Sequence, residues 1–197
     1  MTDLFDIKNP NSLLRQIFEE AVLEKTIINL RDYPDLPELQ IPSNYVRKEY
    51  NFSAHNYGKE IRQSIEPIVQ EVEHEQKAYN MFTSLYEATL NAHQHGNKAN
   101  PAKKTVIAYN NQPKTMEAIV MDEGGEIVPH FLPFILKHRE GDISKKFINF
   151  YDYATNVKKS QENNGTGTSF MHAYTDLIEY HKGETGGMAV YLKKNLI

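Results

Sequence analysis

The apolar positions of this chain recur with two periods, and the switches between them outline its elements. Leu14, Ile17, Phe18 and Ala21 fall at helical spacing behind Asn11 or Ser12, so a helix is predicted over 11–22. Residues 25–30 are short and β-branched and predict a strand. Pro34, Pro37 and Pro42 predict a loop or linker over 32–44, with the main domain starting near Asn44. Residues 45–53 predict the first strand of that domain. Ile61, Ile65, Ile68 and Val72 form one stripe, so a helix is expected over 56–75, kinked rather than broken at Pro67. A second helix is expected over 76–95, ending at Gly96. Residues 104–109 and 116–121 read as strands around a turn at 110–114, which predicts a hairpin. The stretch 126–164 has poor periodicity. A helix is expected to open at 165–167, with Phe170, Tyr174, Leu177 and Ile178 inward. A turn at 183–187 then leads to a last strand over 188–193.

Composition narrows the class. At 197 residues the chain is expected to hold one domain with an N-terminal extension over 1–44. The formal net charge of -4 argues against a general nucleic-acid or membrane field. The absence of cysteine excludes disulfide and thiolate chemistry and fits a reducing compartment. Neither a signal peptide nor a membrane span is recognisable, so a cytoplasmic protein is expected.

The chemistry gathers on the second helix of the main domain. Glu87, Asn91 and His95 are spaced i, i+4, i+8 and share one side of an otherwise apolar helix. Buried polar groups without partners are costly, so such a stripe needs a reason. A carboxylate, an amide and an imidazole suit a site that holds a metal ion and handles a proton. His95 has a second reading, as a helix-terminal side chain interacting with the last carbonyls. His93 and His95 are two residues apart and point to different sides of a helix, which argues against a shared zinc ion.

Two further motifs follow in order. A hairpin strand ends in Asp122-Glu-Gly124, and Gly165-Thr-Gly167 precedes a helix. Each alone is weak: a solvated helix face, a turn and a helix start would explain them separately. Together they resemble the GHKL (histidine kinase-like) ATPase superfamily, and most of all its anti-sigma-factor serine/threonine kinase branch. The local wording that carries the resemblance is Glu87-Ala-Thr-Leu-Asn-Ala-His-Gln-His-Gly-Asn97, then Pro101-Ala-Lys-Lys-Thr-Val106, then Val120-Met-Asp-Glu-Gly124. It covers residues 45–194.

The resemblance implies an α+β fold of the Bergerat type, a two-layer α/β sandwich with a mixed sheet and helices on one face. It implies ATP and Mg²⁺ as ligands. Glu87 would be the general base, Asn91 the Mg²⁺ ligand and Asp122 the acceptor for the adenine amino group. Gly124, Gly165, Gly167, Thr168 and His95 would line the nucleotide, and 126–164 would form a lid. Its basic side chains could reach the phosphates or be ordinary solvated surface. The aromatic cluster over 147–153 could pack the lid or face a partner. The implied partners are a sigma factor or an antagonist protein phosphorylated on Ser, and a homodimer. The sequence departs from the branch in three places. Glu126 stands where a second glycine is usual, Thr168 where an apolar residue is usual, and the lid is longer. Those departures leave two alternatives beside a kinase: a non-catalytic nucleotide-dependent switch, and an interaction module that has lost its nucleotide.

Overall fold

The computed structural model describes residues 28–33, 37–70, 72–127 and 166–197. The N-terminal helix expected over 11–22, the lid beyond residue 127, the 147–153 cluster and Gly165 lie outside the described residues. The elements are β1 (Ile28–Asn29), a 3-10 turn (Leu30–Asp32), β2 (Glu38–Leu39), β3 (Val46–Tyr50), α1 (Tyr57–Val69), α2 (Glu75–Asn91), a π-helical turn (Ala92–Gly96), β4 (Thr105–Gln112), β5 (Thr115–Met121), β6 (Glu126–Ile127), α3 (Gly167–Tyr174), β7 (Leu177–Gly183) and β8 (Met188–Asn195). Among these residues no helix is long and apolar enough to cross a membrane.

Six strands form one mixed sheet in the order β2-β7-β8-β5-β4-β3. Only β2 runs parallel to its neighbour, β7. β1 and β6 make a separate antiparallel pair. Alternation along each strand sorts the side chains between two faces. Ile107, Met116, Ala118, Val120, Ile178, Tyr180, Val190 and Leu192 point to the helices. There they join Ile61, Ile65 and Ile68 of α1, Met81, Leu85 and Ala88 of α2, and Met171 of α3 in one core. Val106, Ala108, Ile119, Met121 and Ala189 point the other way, against Leu39, Ile41 and Tyr45. The fold is therefore the expected α+β arrangement, with helices on one face of a mixed sheet.

Three expectations are corrected in detail. The helix expected over 56–75 stops at Val69. Pro67 removes the N–H that would bond the Gln63 carbonyl, and the chain must turn for α2 to pack beside α1. Asn111 on β4 donates to the Ile68 carbonyl at 2.8 Å, satisfying one of the helix's last acceptors. Val72 prolongs the apolar stripe and is buried, but it lies beyond the helix. The expected hairpin forms, yet its strands run on to Gln112 and from Thr115, so Pro113 and Lys114 alone make the turn. Leu177 and Ile178 belong to strand β7, not to the helix before it: Thr175 is already extended, at φ -104° and ψ 157°.

The linker expected over 32–44 contains β2, and Leu30 just before it is fully buried in the helix-side core. Leu30 also donates its N–H to the Gly125 carbonyl at 2.9 Å. Truncating a fully buried leucine loses its transfer energy and leaves a cavity, about 2–5 kcal/mol. Leu30→Ala is expected to lose that much stability in urea titration. A loss of less than about 1 kcal/mol would show that this segment contributes little to the folded domain.

Candidate nucleotide site

α2 and the turn after it carry one wall of the site. Glu87 and Asn91 are half-buried on α2, as their spacing requires. Then the helix widens: residues 92–96 form a π turn, and the Asn97 N–H bonds the Ala92 carbonyl at 2.7 Å. Each residue of a wider turn rotates less about the axis. His95 lies within this turn and is exposed. His93 faces inward instead and is fully buried.

The helical run ends at Gly96, with Asn97 as its C-cap. Gly96 does not adopt a left-handed backbone; the residues that do are Lys98 and Ala99, at φ 56° and 51°. Gly96 is small for another reason. A Cβ on it would lie 2.2 Å from the Asp122 Cγ. A Cβ on Gly124 would lie 1.5 Å from the Gly96 carbonyl oxygen, and one on Gly187 would lie 2.0 Å from the Asp122 carbonyl oxygen. Gly96 and Gly187 thus close on Asp122, and Gly124 closes on Gly96.

Asp122 is 5% exposed. Its Oδ1 accepts the N–H groups of Gly124 at 2.8 Å and Gly125 at 3.2 Å. Its backbone N–H donates to the Met188 carbonyl at 3.1 Å, and its carbonyl accepts the Thr185 hydroxyl at 2.5 Å. Among the described residues Oδ2 has no hydrogen-bond partner at bonding geometry, and the Met188 N–H is a third backbone donor acting on the carboxylate. Burial raises the carboxyl's pKa, opposed by the backbone N–H groups and by the Lys103 charge.

α3 supplies the opposite wall. Its first residue, Gly167, lies against Glu87: a Cβ there would come within 2.3 Å of Glu87 Oε2. Desolvation raises the Glu87 pKa, which suits a carboxylate that must accept a proton near neutral pH. Thr168 is buried one residue further on. The departure at Glu126 also has a structural partner: it belongs to β6, faces Asn29 of β1 and forms an ion pair with Lys98.

The sequence reading assigned no role to the groups that hold these loops. The Arg31 guanidinium reaches the Glu123 and Gly186 carbonyls, spanning the loop after β5 and the turn between β7 and β8. Asn97 is fully buried between the turn after α2 and the end of β5. Arg31 lay in a proline-rich stretch with no motif. Asn97 closed the motif that begins at Glu87 but was given no role of its own. Thr185 and Gly187 sat in what read as a turn.

His93 packs edge-on to Phe52, at 5.8 Å and 83° between ring planes, and lies 5.1 Å from the Tyr57 ring. Neither ring nitrogen has a hydrogen-bond partner at bonding geometry. Burial lowers its pKa; the Ser53 backbone and the Glu60 carboxylate nearby oppose this more weakly. Facing inward, it diverges from His95.

Residues 54–194 match the family model described as "Histidine kinase-like ATPase domain". The match takes in Glu87, Asn91, Asp122 and Gly167 together, and it implies an ATP-binding domain. Among curated proteins no match to the chain is found.

His93 gives a pH test. A buried imidazole with a lowered pKa binds its proton less readily in the folded chain than in the unfolded one. Stability should therefore fall as pH drops below the ordinary value of 6.5, and stop falling below the folded-state pKa. The loss is about 1.4 kcal/mol for each pH unit separating the two values. In melting curves from pH 7.5 to 5, His93→Leu should flatten this dependence relative to the parent protein. Equal slopes for both would rule out His93 as its source.

Proposed function

The chain belongs to the histidine kinase-like ATPase domain family, and we propose that within it the protein is a regulatory serine/threonine kinase of the anti-sigma type. One observation carries the reading: both of the other motifs converge on a single helical segment, 87–96. Asp122 packs on its Gly96 end, and Gly167 packs on its Glu87 end. Residues far apart in sequence thereby line one site.

The side chains fit a magnesium nucleotide. Asp122 Oδ2 retains its acceptor capacity while Oδ1 is held by two backbone N–H groups, so an exocyclic amino group can be recognised in a fixed direction. The backbone at the start of α3 offers N–H groups to phosphate oxygens. Asn91 would give a neutral side-chain oxygen to Mg²⁺, an ion that keeps several waters and takes few protein ligands. Bound Mg²⁺ would neutralise phosphate charge during transfer. Glu87 would take the proton from the attacking hydroxyl of a serine on the partner, forming the new P–O bond as the bond to the leaving diphosphate breaks. The partner is a protein: an antagonist that receives the phosphate, or a sigma factor that the domain holds.

A second reading keeps the nucleotide and drops the transfer. It rests on Glu126, which replaces a glycine and is engaged by Asn29 and Lys98. A loop pinned in this way suits a switch that reports nucleotide to a partner surface.

Calorimetry and labelled ATP separate the readings. Mg-ADP should bind in the micromolar range. Asp122→Asn should weaken it about 10- to 100-fold, the loss of one charge-assisted hydrogen bond. Glu87→Ala should leave Mg-ADP binding within about threefold and reduce transfer to a candidate antagonist by about 10²-fold or more. Binding without transfer to any serine would favour the switch. Absence of Mg-ADP binding would sink both readings.

A further inference from the structure

Asn97 lies at the point where the turn after α2, the start of β4 and the loop after β5 meet. It is fully buried, and each polar atom of its side chain is used. Oδ1 accepts the Glu123 N–H at 2.9 Å. Nδ2 donates to the Lys104 carbonyl at 2.9 Å and to the Thr105 hydroxyl at 3.1 Å. The ring is closed from the other side, because the Lys104 N–H donates to the Glu123 carboxylate at 2.8 Å. Thr105 is itself fully buried.

This arrangement fixes the peptide that follows Asp122. The Asp122 carboxylate turns back onto the N–H groups of Gly124 and Gly125, so its direction depends on where Glu123 is placed. Gly96, packed against the Asp122 carboxyl, excludes any side chain, and the Gly124 and Gly125 N–H groups hold the carboxylate to the loop without fixing the loop itself. Asn97 supplies the direction. An amide does this without adding charge to a buried site, and it alone among short side chains offers both an acceptor and a two-proton donor. Replacing it leaves the Glu123 N–H and the Lys104 carbonyl without their partner, so the loop must shift to find others.

We propose that Asn97 is a positioning residue for purine selection: through Glu123 it aims Asp122 Oδ2 at a 6-amino group. The inference rests on the adenine reading of Asp122. It predicts a particular kind of loss. Binding energy from the phosphate end should survive, while discrimination by the base should not.

The test compares ATP with purine riboside 5′-triphosphate, which lacks the 6-amino group, by calorimetry on the full chain with Mg²⁺. The parent protein should prefer ATP by about tenfold or more, one charge-assisted hydrogen bond. In Asn97→Ala the preference should fall to within about twofold, mainly through weaker ATP binding, with the purine riboside nucleotide changed by less than about threefold. A purely structural role would weaken both nucleotides by the same factor and keep the preference, and that result overturns the inference. If Asn97→Ala does not fold, Thr105→Val carries the test, since it removes one acceptor of Nδ2 at nearly constant volume. A fall of twofold or more in the preference supports the proposal, and an unchanged preference overturns it. A parent protein that binds both nucleotides equally overturns the adenine reading, and this inference with it. A preference present in the parent and retained in the variants overturns this inference alone.

Discussion

The backbone at the end of α2 and the backbone at the end of β5 meet at closer range than side chains permit. Gly96 and Gly124 face each other so tightly that a methyl group on either would overlap its neighbour, and Gly187 completes the same junction from the β7–β8 turn. Interiors are already packed at crystal-like density, so no adjacent group can yield the missing space. Everything at this end of the molecule follows from that contact. It forces Asp122 into a buried position and requires its carboxylate to be satisfied locally, which the N–H groups of Gly124 and Gly125 do. Just beyond the helix end at Gly96 stand Lys98 and Ala99, two non-glycine residues in the left-handed region. Such conformations cost about 1–3 kcal/mol each and persist only where surrounding structure imposes them.

The two carboxylates of the site are both pushed toward their neutral forms by burial, but their surroundings differ. Asp122 is held by backbone donors on one oxygen and sits within the influence of Lys103. Glu87 shows desolvation alone, with the first residue of α3 placed against it. A carboxylate fixed by donors is suited to reading a hydrogen-bond pattern. One that is merely desolvated is suited to taking up a proton. Under the proposed function, environment rather than residue type would divide recognition at the Gly96 end of the helical segment from chemistry at its Glu87 end.

Where one period ran unbroken through an element, the sequence was sufficient. The β4–β5 hairpin and the helical spacing of Glu87 and Asn91 were legible because alternation and the 3.6-residue repeat speak directly. Failures came where a second constraint hid the period. β7 has Lys182 at an inward position, paired with Glu38 of β2, so its alternation Ile178-x-Tyr180-x-Lys182 does not read as apolar. Leu177 and Ile178 also fall at helical spacing from Phe170 and Tyr174, and a helix was the simpler inference. Val72 prolonged the α1 stripe from beyond its end. The π turn that carries His95 is invisible to a count that assumes a constant rotation per residue. Gly96 was correctly seen as special, but the cause was a long-range contact with Asp122, which no local pattern encodes.

The family match begins at residue 54, yet the folded structure does not. Leu30 fills the helix-side core, β1 pairs with β6, and Arg31 bridges two loops that flank Asp122. Glu126 lies on β6, at the position where the resemblance leads one to expect a second glycine. A glycine there would leave the backbone after Asp122 free to sample many conformations. Glu126 in a strand, facing Asn29 and ion-paired with Lys98, restricts it instead. The ion pair itself is exposed and contributes little to stability. The β-pairing matters more, because it ties the loop after Asp122 to a segment outside the matched domain. In this chain the freedom that a glycine would supply after Asp122 has been exchanged for an anchor, and the anchor is the segment around β1.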